Sequence, residues 1–286
     1  MTKVIIRQTN EIIEEKSPKG ANFLYKNFIG RIILKIATKR FVSKIGGFYM
    51  NKKISTRHIK NFIKDNKIDM SDYEEYEYKS FNEFFSRKIK DGKRIFSKNK
   101  NDFCVPCDSK VTIYKIDDKE EFIIKNKKYT LERILRDEEL AKEYKNGYFM
   151  VFRLSVDDYH RYAYIDNGKK IKGKEINGRF HTVGPIAFDK FKVYQENQRE
   201  YELLRTDNFG DIIQMEIGAL MVGKIKNYEK KTFNRGEEKG YFIFGGSTVV
   251  IIVKENILKI DKDILENSKN NIETKVKQGE IIARKC

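Results

Sequence analysis

Between residues 21 and 45 apolar side chains recur at helical spacing: Phe23, Leu24, Phe28, Ile32, Ile36, Phe41 and Val42. Lys26, Arg31, Lys35, Lys39, Arg40 and Lys44 stand between them. The pattern predicts a basic amphipathic helix over 21–45, ended by Gly46-Gly47. Such a helix either lies in a membrane interface or packs on the protein's own core with its basic face in water. Ahead of it, residues 1–20 read as a polar leader with a strand near 3–7. A second helix is predicted over 54–63, carrying His58 as a surface residue. Ser80-Phe81-Asn82-Glu83 has the spacing of a capping box and starts a helix with Phe84, Phe85 and Arg87. A fourth helix is predicted over 130–144, with Leu131, Ile134, Leu135 and Leu140 inward and Gly147 closing it. Strands are predicted at 110–114, after the Pro106-Cys107-Asp108 turn, and at 148–154. The alternation over 212–225, with Gly218 and Gly223, predicts a strand pair joined by a tight turn. Residues 258–267 and 274–283 read as short strands or a short helix that close the core.

The most informative stretch is 241–253. Two β-prone runs, Tyr241-Phe242-Ile243-Phe244 and Val249-Val250-Ile251-Ile252-Val253, flank Gly245-Gly246-Ser247-Thr248. Both runs are aromatic or β-branched without polar alternation, which predicts strands buried on both faces and a rigid kink between them. The kink sets the Ser247 hydroxyl beside the carbonyl of its own preceding peptide bond. Taken alone, the glycines mark a bulge or hairpin turn and Ser247 is a turn residue. The chemical reading is that Oγ attacks the Gly246 carbonyl, the peptide becomes an ester, and β-elimination cuts the chain. The fold class expected is α+β: a β-rich, barrel- or sandwich-like core over 96–286, behind an N-terminal helical, membrane-associating region over 1–95. There is no internal repeat and no low-complexity tract.

Composition narrows the partners. The chain has 286 residues, with 59 Lys and Arg against 42 Asp and Glu, a formal net charge of +17. That sign favours anionic partners. No basic motif with interleaved base-stacking aromatics is present, so an anionic membrane surface is expected rather than nucleic acid. Cys104-Val105-Pro106-Cys107 is formally a C-x-x-C, but no second ligand pair accompanies it and Cys286 makes the count odd, so reduced thiols and no metal are expected. No signal peptide and no apolar run of membrane-spanning length is seen.

Seven short segments then fall into one order. They are Phe84-Phe85-x-Arg87-x-Ile89-Lys90 with Gly92-x-Arg94, Val105-Pro106-Cys107-Asp108-Ser109, and Arg153-Leu154-Ser155-Val156-Asp157-Asp158-Tyr159-His160-Arg161-Tyr162. Phe180-His181-Thr182-Val183-Gly184-Pro185, Glu196-Asn197-x-Arg199, Ile217-Gly218-Ala219-x-x-Val222-Gly223 and Gly236-Glu237-Glu238-Lys239-Gly240-Tyr241-Phe242 follow, the last running into Gly245-Gly246-Ser247-Thr248. This series resembles the phosphatidylserine decarboxylases. Any one segment is weak, and seven in order are specific. The resemblance implies a pyruvoyl enzyme that decarboxylates phosphatidylserine to phosphatidylethanolamine. It implies a chain self-cleaved between Gly246 and Ser247 into a heterodimer of 1–246 and 247–286, with the cofactor formed from Ser247. It also implies a peripheral place on the cytoplasmic side of the cell membrane.

The remaining roles follow from that resemblance. Asp108, which by position alone is an Asx-turn residue, would orient or supply a base near Ser247. His160 becomes the first choice for proton transfer, because imidazole titrates near neutrality, and His181 the second. Loss of CO2 from an amino acid leaves a carbanion, and a carbonyl condensed with the substrate amine supplies the electron sink. One position departs from the pattern. Many members carry a second histidine three residues after the first, and this chain has Ala163 there. Either His160 does both jobs, or His181 enters the site, or Asp108 acts with water. Ser109 replaces a common glycine. The departure at Ala163 keeps a second expectation open, a non-processed homologue that binds anionic lipid.

Overall fold

The computed structural model describes residues 2–15, 19–220, 225–245 and 247–286, with the backbone alone at 19, 40 and 44. Its frame is an open ten-stranded sheet. In spatial order the strands are Thr232–Phe233, Gly168–Ile176, Arg199–Thr206, Gly210–Gly218, Ser247–Val253, Tyr148–Leu154, Ser109–Lys115, Glu273–Val276, Thr2–Ile6 and Glu11–Glu15. Ser247–Val253 lies near the middle, antiparallel to Gly210–Gly218 on one side and Tyr148–Leu154 on the other. Both of its faces are covered, which is why it carries no polar alternation, and every residue from Ser247 to Val253 is buried. The expected α+β, β-rich class holds. The sheet does not close into a barrel; two three-stranded sheets and a short hairpin stand beside it.

The run ahead of the kink belongs elsewhere. Glu238–Phe242 pairs with Ile225–Asn227 and Arg161–Ala163 in a three-stranded sheet. The two runs around Gly245 are therefore not a hairpin. They pass from one sheet to another, and Gly245 makes the passage with φ +135, a conformation that side chains resist. Only the second run is buried throughout; in the first, Phe242 is buried and Tyr241, Ile243 and Phe244 are partly covered. For the same reason 212–225 is not a hairpin: Gly210–Gly218 joins the large sheet and Ile225–Asn227 the small one. Val222 and Gly223 of that expected turn lie outside the described residues, as does Gly246.

The N-terminal periodicity is realised as three helices, Lys19–Lys26, Phe28–Ala37 and Arg40–Met50. Asn27 breaks the first from the second: it is extended, and its side chain accepts from the amides of Ile29 and Gly30, an N-cap. Extended Lys39 makes the second break, and Gly46-Gly47 lies inside the third helix rather than at its end. Tyr25 and Leu34 face the core, while the Thr182 amide donates to Tyr25 Oη (2.9 Å) and the Phe180 amide to the Thr38 carbonyl (3.1 Å). Residues 54–63 form a 3-10 turn, Lys53–His58, followed by the helix Ile59–Asp65. His58 is exposed, with Nε2 2.9 Å from Tyr49 Oη. The helix expected over 130–144 is split at Arg136 (φ +49) into Leu131–Leu135 and Glu138–Lys142. At Ser80 the cap is as read: Oγ accepts from the Glu83 amide at 3.2 Å.

Candidate active site

Ser247 is the first residue of its strand, opposite Gly218 on one neighbour and Leu154 on the other. Its side chain is fully buried, and Oγ has no hydrogen-bond partner. An unsatisfied buried hydroxyl costs about 1–3 kcal/mol, so this one is not there to hold the fold.

His160 lies just before the strand Arg161–Ala163. The backbone ties it to the run ahead of the kink, since the Phe242 amide donates to the His160 carbonyl at 3.0 Å and Arg161 is paired with Tyr241. Its ring packs on Phe85, with centroids 4.0 Å apart, and Phe85 also meets Phe244, three residues before Ser247 (5.1 Å). The ring is fully buried. Burial first, and then the Arg87 guanidinium, push its pKa down to about 3, so the imidazole is neutral. Nδ1 lies 2.9 Å from the Asp158 carbonyl and donates to it, which leaves Nε2 with a free lone pair; Nε2 is buried and unpartnered.

His181 is linked to the rung of Ser247 through its backbone. Asn197 holds its segment: Asn197 Oδ1 accepts from the His181 amide (3.0 Å), and Nδ2 donates to the carbonyls of His181 and Gly218 (both 2.8 Å). Gly218 is the register partner of Ser247, so one buried amide connects the His181 segment to the rung of the hydroxyl. The His181 ring stacks on Phe191 with centroids 3.9 Å apart. Burial and nearby Arg179 lower its pKa to about 4. Neither ring nitrogen has a hydrogen-bond partner, and Nε2 stands 3.8 Å from a Glu196 carboxylate oxygen.

Asp108 is committed elsewhere. Arg94 donates to it through Nε (2.8 Å) and Nη2 (2.7 Å), and the Gln278 amide donates to Oδ1 (2.8 Å). It does not pair with either histidine. Its turn is nevertheless next to the departing position: the Ala163 amide donates to the Pro106 carbonyl at 2.9 Å. Ser109 keeps the turn, its Oγ donating to the Cys107 carbonyl (3.1 Å). Cys104 and Cys107 are buried free thiols, and among the described residues no cluster of histidines, cysteines and carboxylates is arranged for a metal.

The backbone thus ties the His160 segment to Phe242, ahead of the kink, and the His181 segment through Asn197 to Gly218, the register partner of Ser247, and it sets Asp108 in an ion pair with Arg94. Sequence reasoning missed three contributors. Arg94 partners Asp108, and its place in Gly92-x-Arg94 was the available signal. Asn197 was visible as part of a segment but not as a bridge. Glu216, a charge amid the apolar residues of Gly210–Gly218, is buried in an ion pair with Lys239 (2.8 Å) two rungs from that of Ser247.

The family model for phosphatidylserine decarboxylase matches residues 81–284. The chain is 53% identical over 279 residues to phosphatidylserine decarboxylase proenzyme 2 of Clostridium acetobutylicum, covering 96% of each. It is 42% identical over 285 residues to a phosphatidylserine decarboxylase proenzyme of Fusobacterium nucleatum, covering 96% of this chain and 95% of that one. A proenzyme of the same description from Clostridium tetani is 40% identical over 293 residues, covering 100% and 99%.

Proposed function

The chain belongs to the phosphatidylserine decarboxylase family, and on that footing we propose that it matures by cutting its own Gly246–Ser247 bond and works with a pyruvoyl group formed from Ser247. The observation that carries this reading is the buried, unpartnered Ser247 hydroxyl. His160 is neutral, oriented by the Asp158 carbonyl, and has an open Nε2 lone pair. His160 takes the hydroxyl proton as Oγ adds to the Gly246 carbonyl. The C–N bond breaks and an ester forms. Loss of the residue 247 α-proton expels the Gly246 carboxylate, leaving dehydroalanine, and hydrolysis of that group releases ammonia and leaves a keto acid.

Decarboxylation of the serine headgroup then draws on that keto group, an electron-withdrawing carbonyl fixed in a buried site. The chain's own part is to keep water away and manage the proton. Phe85 covers His160, and Phe244 packs on Phe85. The carbon that gives up CO2 takes a proton in its place: His160, its open Nε2 first protonated, delivers it, and His181 is the other imidazole that can do so. The two product chains have reason to stay together as a heterodimer. Ser247–Val253 is flanked on both sides by strands of the 1–246 segment, and Glu273–Val276 and Ile281–Lys285 also pair with that segment.

The same reading puts the protein on the cytoplasmic face of the cell membrane as a peripheral enzyme, with the helices of residues 1–95 supplying the contact and 96–286 most of the chemistry, to which Phe85 and Arg94 also contribute. Exposed Phe28, Ile29, Phe41 and Phe48 on the N-terminal helices support it, with exposed Lys26, Arg31, Lys35 and Lys39 among them. No helix among the described residues is long and apolar enough to cross a membrane. Ala163 favours a second reading, an unprocessed homologue that binds anionic lipid.

Intact-mass analysis tests both. The expected result is a chain of 247–286 with a blocked, keto-acid N-terminus, and Ser247→Ala leaves the protein whole and inactive. A whole chain that still releases CO2 would sink the mechanism. A whole chain without activity would establish the second reading.

A further inference from the structure

Arg87 is a buried cation with nothing to neutralise it. It is 2% exposed, and among the described residues no carboxylate pairs with it. Nη2 donates to Tyr73 Oη (3.1 Å) and to the Asp157 carbonyl (3.4 Å). The guanidinium lies over the rings of Tyr73 (4.2 Å) and Phe84 (5.0 Å). Nε and Nη1 are buried and have no partner. Other buried cations of this protein are satisfied. Arg94 has Asp108, Arg161 has Glu238, Arg153 has Glu15 and Glu273, and Lys239 has Glu216. Arg199, also without a carboxylate, donates to the carbonyls of Ile134, Gln195, Asn197 and Arg133 at 2.7–2.9 Å.

Arg87 lines a cavity of about 290 Å³ together with Tyr78, Ser86, Lys88 and Arg161. Tyr78 Oη is a second buried polar atom without a partner on that cavity, and burial raises the pKa of the phenol, so it remains a donor. Two carboxylates also line the cavity. Glu83 is occupied by Tyr76 Oη (3.0 Å) and the Lys79 amide (2.5 Å), and Glu74 is exposed. An uncompensated buried charge is costly, and unused N–H and O–H donors on one cavity call for an acceptor with several lone pairs. The cavity adjoins the His160 segment: its lining residues Ser86 and Arg87 follow Phe85, which packs on the His160 ring at 4.0 Å, and Arg161 Nε donates to the Ser86 carbonyl at 2.8 Å.

We propose that Arg87 and Tyr78 form the anchor for the phosphodiester of the lipid headgroup. The identity of the ligand rests on the enzymatic reading above. Two anions are available in that headgroup, and the chemistry chooses between them. A guanidinium on the scissile carboxylate would stabilise the charge that must be lost, holding the ground state more tightly than the transition state. The phosphodiester keeps its charge throughout, so a cation on it binds substrate and transition state alike. A bound phosphodiester also offsets the positive charge that depresses His160, so filling the cavity makes His160 a better proton carrier.

The test uses uncleaved Ser247→Ala protein, in which binding is read without turnover, and water-soluble probes. Glycerophosphoserine and glycerophosphoethanolamine both carry the phosphodiester, and the second lacks the carboxylate; free serine carries the carboxylate alone. The two phosphodiesters are expected to bind alike in calorimetry and serine not to compete. Arg87→Lys keeps the charge and loses the planar fork, and weakens both probes about 10-fold, while Arg87→Gln weakens them about 100-fold. Competition by serine, failure of glycerophosphoethanolamine to bind, or unchanged affinity in Arg87→Lys overturns the assignment. Should the variants not fold, the His160 ring resonances of the unsubstituted protein decide: glycerophosphoethanolamine raises the midpoint of their titration, and an unmoved midpoint overturns the proposal. Cleaved wild-type protein that decarboxylates phosphatidylserine vesicles while these probes fail leaves the enzyme reading intact. Binding probes without decarboxylation would do the reverse.

Discussion

His160 and His181 are neutral at pH 7 because their surroundings cannot solvate an imidazolium, and that has a measurable sign. Burial holds their folded pKa values, about 3 and about 4, below the ordinary imidazole value of about 6.5. Below that value the unfolded chain takes up protons that the native protein refuses. Stability is therefore fully present above pH 6.5 and is lost as pH falls toward the folded values, at up to about 1.4 kcal/mol per pH unit for each histidine. Burial raises the pKa of Glu200 to about 7 and also raises that of Glu216, and these carboxylates act in the opposite sense over the same window, so the imidazole contribution is read as a difference between proteins. Between pH 7.5 and 5 the denaturant midpoint of uncleaved His160→Gln should lose less ground than that of the unsubstituted uncleaved protein, since one of the two buried imidazoles is gone. A slope equal to that of the unsubstituted protein would mean that His160 is hydrated and the burial account is wrong. The same variant should lower decarboxylation by about two to four orders of magnitude, as for loss of a general acid–base. A near-normal rate would move the proton to His181.

Between elements, the site depends on Asn197, which serves both the short turn carrying His181 and the strand Gly210–Gly218. Asn197→Ala leaves the His181 amide and the His181 and Gly218 carbonyls without their partner. Each abandoned buried group costs about 1–3 kcal/mol. A lowered melting temperature is expected, together with slower formation of the 247–286 fragment in a mass time course, because Gly218 sets the rung of Ser247. Normal processing in a destabilised protein would confine Asn197 to the fold. What was legible in the sequence divides along the same line. Local signals were readable: the Ser80 cap, the strand at 148–154 and the wholly apolar 249–253 run are fixed by neighbours in sequence. The breaks at Asn27 and Arg136 were not, because the apolar period continues through them and the interruption is made by a side-chain cap or a single positive φ. Nor was the passage from sheet to sheet at Gly245, since two β-prone runs around glycines look alike whether they pair with each other or with different partners. The committed role of Asp108 depended on Arg94 and Gln278, the latter distant in sequence, and spacing carries no trace of such a contact.

At the scale of the whole molecule, the charge of +17 and the uncovered apolar side chains act on the same face question. Phe28 and Phe41 are each 70% exposed, with Phe48, Ile29 and Ile36 also outward, on the helices whose other side holds Tyr25 and Leu34 in the core. A soluble surface has no use for such a cluster, and an interfacial helix does. The basic residues among them add about 1 kcal/mol each near an anionic surface, a contribution that salt removes, because the screening length shrinks from about 10 Å at 0.1 M to about 3 Å at 1 M. The apolar part is insensitive to salt, and burying one phenylalanine is worth about 1.5–3 kcal/mol. The two contributions can therefore be separated by flotation with phosphatidylglycerol-containing and neutral vesicles. Raising salt from 0.1 to 1 M should weaken binding to the anionic vesicles toward the level seen with neutral ones. Phe28→Ser with Phe41→Ser should weaken binding to both by about 100-fold. The double variant should still cleave itself, since neither side chain is part of the site, and it should lose turnover on vesicles while keeping turnover on a short-chain, monomeric phosphatidylserine. Equal loss on both substrates would place these helices in the catalytic architecture, and unchanged flotation would leave the membrane contact to another face.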